Sequence, residues 1–124
     1  MKTNNMSLTR LALAAIVPTA LALGGCAAPK PLYEWGGYQK QVYTHFKNEG
    51  SPDQQIIELE KSIEVATAKG TTPPPGYFAH LGMLYLSVGK DDRAVQAWTK
   101  EKAYFPESTQ YMDFLLNNMK KQRG

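Results

Sequence analysis

One thiol, two imidazoles and a short run of carboxylates are the side chains of this 124-residue chain with the most evident capacity for chemistry. Cys26 is the only cysteine and follows Leu23-Gly24-Gly25. A thiol reacts as its thiolate, and two glycines before it leave the backbone open to a peptidase. The site therefore pairs an accessible backbone with a nucleophilic thiol. His45 and His80 are the only histidines. Together they offer two metal ligands, short of the three or four that a zinc site uses. No flanking serine or aspartate signature turns either one into part of a nucleophilic triad. Glu58, Glu60 and Glu64 fall on one predicted helix beside Lys61. The four-residue spacing of Glu60 and Glu64 allows paired acid–base work, but it more simply makes a solvated helix face. Gly36-Gly37 is too short, and follows no strand pattern, to be a phosphate loop. These residues predict a chain that is not an enzyme and holds no metal.

The residues before Cys26 explain its thiol. Leu11 to Leu23 is apolar except for Pro18 and Thr19, and Lys2 and Arg10 precede it. That run is shorter than the ~20 residues a membrane span needs and matches the apolar region of a secretory signal. Met6 offers a second start that keeps Arg10. With Leu23-Gly24-Gly25-Cys26, the segment resembles the lipobox of bacterial lipoproteins. The resemblance implies a signal peptide over residues 1–25 and a mature chain beginning at Cys26. It also implies diacylglycerol and an N-acyl lipid such as palmitate on that residue, with no other cofactor. Several acyl chains, at ~0.8 kcal/mol per buried CH2, anchor a protein stably to a membrane. Ala27 stands where an aspartate would retain such a lipoprotein at the inner membrane. The implied address is the periplasmic face of the outer membrane. Residues 26–37 then read as lipidated cysteine and tether, stiffened by Pro29 and Pro31. After cleavage the chain keeps 12 basic and 11 acidic residues, a net charge of +1. With no cluster of Lys and Arg among aromatics, nucleic acid is not an expected partner.

Residues 38–124 read as an all-α domain of two helix pairs and a C-terminal capping helix. Tyr38, Val42, Tyr43 and Phe46 mark a first helix to about Asn48, closed by Gly50. Ser51-Pro52-Asp53-Gln54 is a helix start, with a capping serine and proline at the first helical position. Ile56, Leu59, Ile63 and Ala66 continue that helix to about Gly70. Three prolines within Thr71–Gly76 make the linker. A third helix spans about Gly76 to Val88, and a fourth runs from Lys90 or Asp91 to Tyr104. Pro106 breaks the chain before a fifth, which opens near Glu107 or Ser108. Met112, Leu115, Leu116 and Met119 share one face of the fifth helix. Lys120, Lys121 and Arg123 complement its dipole.

Residues 75–108 resemble one tetratricopeptide repeat, a helix–turn–helix unit of about 34 residues. Phe78, Leu81, Gly82, Tyr85, Ala94, Trp98 and Pro106 fall in one register with that repeat. Gly82 and Ala94 are small enough for two antiparallel helices to approach, and Phe78, Tyr85 and Trp98 fill the space between them. Glu101 departs from the pattern, which has alanine there, and that predicts weaker packing against a following standard repeat. On the inner face the resemblance places Gly76, Ala79, Met83, Leu86 and Ser87. None is Lys, Arg or Asn, so a clamp for a peptide carboxylate is not expected. Ala79, Met83 and Leu86 either contact an apolar partner segment, for which methionine is adaptable, or pack on the preceding helix pair.

Leu32-Tyr33-Glu34-Trp35-Gly36-Gly37-Tyr38 resembles the signature of a family of small bacterial lipoproteins with a Tyr-x-Trp-Gly-x-Tyr motif. Members accompany lipoproteins related to the curli secretion pore, which implies an assembly or export role and supplies no catalytic residue. Two readings of the Tyr33, Trp35, Tyr38 and Tyr43 rings stay open. They extend the core of the first helix pair, or some of them grip a partner or the lipid headgroup region. The expected function is a non-enzymatic adaptor or assembly factor for an envelope or secretion complex. The alternatives are a self-associating component of an export machine and an envelope enzyme.

Overall fold

The computed structural model describes residues 29–123. Gly25, Cys26 and the signal segment lie outside the described residues. The chain divides into two units, Met1–Lys30 and Pro31–Gly124, and the second carries every described helix. These are α1 (Tyr38–Phe46), α2 (Pro52–Ala68), α3 (Tyr77–Ser87), α4 (Asp91–Tyr104) and α5 (Thr109–Arg123), with a 3-10 turn over Pro106–Ser108 before α5. Among the described residues there is no strand, only one parallel bridge between Tyr33 and Thr72. The domain is all-α.

The helix limits follow from local chemistry. Asn48 adopts φ 53°, so α1 stops two residues before the expected Asn48. Ser51 Oγ accepts the Gln54 N–H at 3.2 Å to open α2, with Pro52 in the first turn, where its missing N–H costs nothing. Gly89 turns the chain between α3 and α4 at φ 73°, a left-handed conformation that glycine adopts freely. It leaves the Lys90 N–H to bond the Tyr85 carbonyl at 2.8 Å. The fifth helix opens slightly later than expected, because Pro106 first winds a 3-10 turn.

The core is one cluster. Ile56 and Leu59 come from α2, and Ala94, Ala97 and Trp98 from α4. Met112 and Met119 come from α5. Between them lies α3, which buries Tyr77, Phe78, His80, Leu81, Gly82, Leu84 and Tyr85, seven of its eleven residues. It is the central helix and leaves only a strip facing solvent. The closest approach is between α3 and α4. A Cβ built on Gly82 would sit 2.3 Å from Trp98 Nε1, so only glycine admits the indole. Trp98 is 1% exposed, and its Nε1–H donates to the Ala79 carbonyl at 3.1 Å.

The segment before α1 is also fastened. The Glu34 N–H donates to the Thr72 carbonyl at 2.9 Å, and Lys69 pairs with Glu34 at 2.8 Å. Tyr33 lies edge-on to Phe105 with centroids 6.1 Å apart. Within the expected tether over 26–37, the residues from Tyr33 onward therefore belong to the folded body.

Replacing Gly82 with alanine is expected to lower stability by ~1–3 kcal/mol, the usual penalty for overpacking. The gain in helix propensity, about 1 kcal/mol, does not offset a methyl inside the Trp98 ring. A fall in Tm of roughly 4–8 °C per kcal/mol would report it in a circular dichroism melt. An unchanged Tm would refute the Gly82–Trp98 contact.

Candidate functional site

Helix α3 is positioned from its N-terminus. Its start follows Pro73-Pro74-Pro75-Gly76, which supplies no side chain able to cap it. The first N–H groups of a helix have no partner within it, and here they lie against the core. Glu101, from the far helix α4, fills the gap. Its Oε1 accepts the Gly76 N–H at 2.6 Å. Its Oε2 accepts those of Phe78 at 3.1 Å and Ala79 at 3.3 Å, and the remaining Tyr77 N–H bonds the Pro74 carbonyl at 3.2 Å. Glu101 is only 2% exposed. Burial lifts its carboxyl above the ordinary value, against the pull of those three donors. The residue that departs from the repeat pattern caps the central helix.

A helix held this way displays a fixed strip. Met83 is 43% exposed and Leu86 37%, and Ser87 is exposed beside them. Ala79 is half-buried, and its carbonyl and N–H are used by Trp98 and Glu101. Of the two readings of this face, Met83 and Leu86 follow the exposed one, because α2 covers the opposite side of α3 through Ile56 and Leu59.

The N-terminal aromatics divide. Tyr33 is half-buried on Phe105, and Tyr38 lies against Tyr77 with ring centroids 4.9 Å apart. Trp35 is exposed, as are Tyr43 and Phe46. Tyr33 is thus engaged within the fold, and Trp35 is the ring of the pair that reaches solvent. A third apolar surface lies on α5, where Tyr111 and Phe114 are stacked and exposed.

Two polar groupings were not legible in the sequence. Glu60, expected to face water, instead accepts a hydrogen bond from the Tyr85 hydroxyl and another from Arg93 Nη2 at 2.5 Å. Arg93 also lies over the Tyr85 ring, and burial pushes the Tyr85 hydroxyl up to about 12. This trio walls a cleft of about 370 Å³ between α2 and α4, floored by Phe78 and Leu81. The second grouping is His45 with His80, whose rings meet edge-on at 4.9 Å. His80 is buried, and its Nε2 has no hydrogen-bond partner. Among the described residues no group of three or more His, Cys, Asp or Glu is placed to hold a metal ion.

Burial, with the nearby His45 charge adding to it, lowers the His80 pKa to about 4 from an ordinary 6.5. The unfolded chain therefore takes up a proton first as pH falls, so stability drops from about pH 6.5 down to about pH 4. The loss is on the order of 3 kcal/mol, at ~1.4 kcal/mol per pH unit. The raised pKa of Glu101 has the opposite sign: its contribution is full at low pH and declines as pH rises past the ordinary carboxyl value. The clean measurement is therefore the difference between wild type and His80→Gln in thermal melts across that window. A flatter profile in the variant is expected, and parallel profiles would contradict the buried neutral imidazole.

No helix among the described residues is long and apolar enough to cross a membrane. No curated protein and no solved structure matches the chain. Residues 32–115, which span α1 to α4, the Glu101 cap, the Met83–Leu86 strip and the first part of α5, match the family described as Domain of unknown function (DUF4810), and the chain belongs to that family.

Proposed function

We propose that the chain is an outer-membrane lipoprotein, anchored on the periplasmic face through Cys26. In this reading it is a non-enzymatic adaptor or assembly factor for an envelope or secretion complex. The observation that carries it is the strip of Met83 and Leu86. Both are exposed on a helix that otherwise buries most of its length. Apolar side chains on a rigid helix, beside a methionine that adapts to varied shapes, suit an apolar or helical segment of another protein. The tetratricopeptide-like reading of residues 75–108 supports the same conclusion. Phe78, Leu81, Gly82, Tyr85, Ala94 and Trp98 are all buried where α3 meets α4. Pro106 stands just beyond α4, at the turn that ends the unit. Glu101, the one departure from that pattern, has a structural reason as the cap of α3. A lipoprotein related to the curli secretion pore is the first partner to test.

Two experiments separate address from binding. Cys26→Ser is expected to abolish incorporation of a palmitate analogue and to leave precursor or unanchored protein. Equal labelling of wild type and variant would overturn the lipoprotein assignment. The double change of Met83 and Leu86 to Glu is expected to abolish cross-linking to the partner in cells, read by mass spectrometry, with helical circular dichroism unchanged. Retained cross-linking in the folded variant would reject this strip as the binding surface.

A further inference from the structure

A second apolar surface lies on α1, the first described helix after Cys26 in the sequence. Helix α1 buries none of its residues. Its rings point two ways. Tyr38 lies on Tyr77, and His45 on His80. Gln39, Val42, Tyr43 and Phe46 form a shallow surface with the edge of Tyr38. Trp35, which precedes the helix, adjoins that surface through Tyr38, with ring centroids 6.5 Å apart. Tyr43 is 60% exposed and Phe46 80%, while Trp35 and Leu32 are also exposed.

We propose that this face lies in the bilayer interface, with Leu32, Trp35, Tyr43 and Phe46 against the lipid that Cys26 enters. The inference rests on the lipidation of Cys26 proposed above. Three observations select lipid as the occupant. The first is reach. Leu32 is the sixth residue after Cys26 and Trp35 the ninth. Even fully extended, those stretches span at most ~20 Å and ~30 Å, so the anchor holds this face close to the membrane. The second is ring type. Tryptophan and tyrosine carry an apolar body and a polar handle, which suits the headgroup boundary. The third is charge. Helix α1 contains no Asp or Glu and carries Lys40. Lys47 follows it with Nζ 5.5 Å from the Tyr43 ring centroid, and Lys30 precedes it. Glu34, the nearest preceding acid, is paired with Lys69, and Glu49 lies beyond the end of the helix. An apolar face edged by lysines is what an anionic lipid surface attracts.

The chain has two tryptophans, and they report separately: Trp35 is exposed and Trp98 is buried in the core. The full lipidated protein is reconstituted into vesicles of phosphatidylethanolamine and phosphatidylglycerol, with and without brominated phosphatidylcholine. The expected result is loss of the Trp35 share of the emission to the bromines, with that share also shielded from aqueous iodide. Trp35→Phe should leave only unquenched Trp98 emission. Phe46→Trp in that background, at an exposed position that accepts a larger ring, should restore quenching. Protein that floats with the vesicles while Trp35 stays unquenched and open to iodide would overturn this proposal and leave the anchor standing. Shielding of Trp35 in the cell envelope without quenching in vesicles would place another protein on the face and likewise overturn it. Absence of acyl groups on Cys26 by mass spectrometry would overturn the lipoprotein reading itself, and this proposal with it.

Discussion

The start of α3 is a buried helix end without a local cap, and the carboxyl of Glu101 resolves it. Three N–H groups converge on that one side chain from 22 to 25 residues away in sequence. A buried backbone donor left unpaired costs ~1–3 kcal/mol, so losing three at once would remove a large share of a small domain's stability. Glutamate has the length and the two acceptor oxygens to serve all three from α4. An aspartate would be one methylene shorter, and an alanine would leave the donors dry. Burial raises the cost of the charge at this position, and the donors offset part of that cost. The bond set ties the second helix of the hairpin to the beginning of the first. Together with Trp98 against Gly82 farther along, it fixes the relative position of α3 and α4 at two points.

From that joint the rest of the body follows. With α3 fixed at its start, its apolar circumference is distributed among neighbours. Ile56 and Leu59 of α2 join it in the core, and Trp98 and Ala94 of α4 meet it where Gly82 makes room. What remains is the narrow strip of Met83 and Leu86. Its exposure is a consequence of geometry, because the described helices that could cover it are already committed elsewhere. The same logic explains Tyr85. Its ring is buried and its hydroxyl emerges at the edge of the core, where Glu60 and Arg93 satisfy it. A core tyrosine with a polar tip is satisfied by charges drawn from two flanking helices.

The fold was legible because its punctuation is local. Ser51-Pro52 starts α2, Gly89 turns α3 into α4, and Pro106 ends α4. Each acts within a few residues of its own position. Gly82, Ala94 and Trp98 were legible because a glycine and an alanine facing a large indole have one plain packing interpretation. Glu101 was not legible. In the sequence it is an acid where a small residue belongs, and only the distant helix start to which it bonds reveals its purpose. Glu60 misled for the same reason, since its partners Tyr85 and Arg93 lie 25 and 33 residues away. His45 and His80 are 35 residues apart and meet only because α1 crosses the start of α3. The aromatic segment could be read either way. Apolar rings occur on both sides of α1, and periodicity alone cannot say which side meets the body.

The apolar surfaces on α3 and α1 differ in how they are supported, and that difference bears on what each can do. The α3 strip stands on the most constrained element of the domain, backed by core on its opposite side and capped by Glu101. The backbone there is held in place, which limits the ordering cost on binding, while Met83 supplies an adaptable contact. Helix α1 is held by ring contacts to Tyr77 and His80, with its preceding segment pinned by the Glu34–Thr72 and Glu34–Lys69 bonds. Elements with few buried contacts open at lower free energy than the core. A surface of that kind gains from an occupant that demands no exact geometry, and a fluid lipid boundary is such an occupant. Seated on it, α1 would be supported on both sides: by Tyr77 and His80 from the body, and by the bilayer from without. The strip of α3 would then remain open to a protein segment.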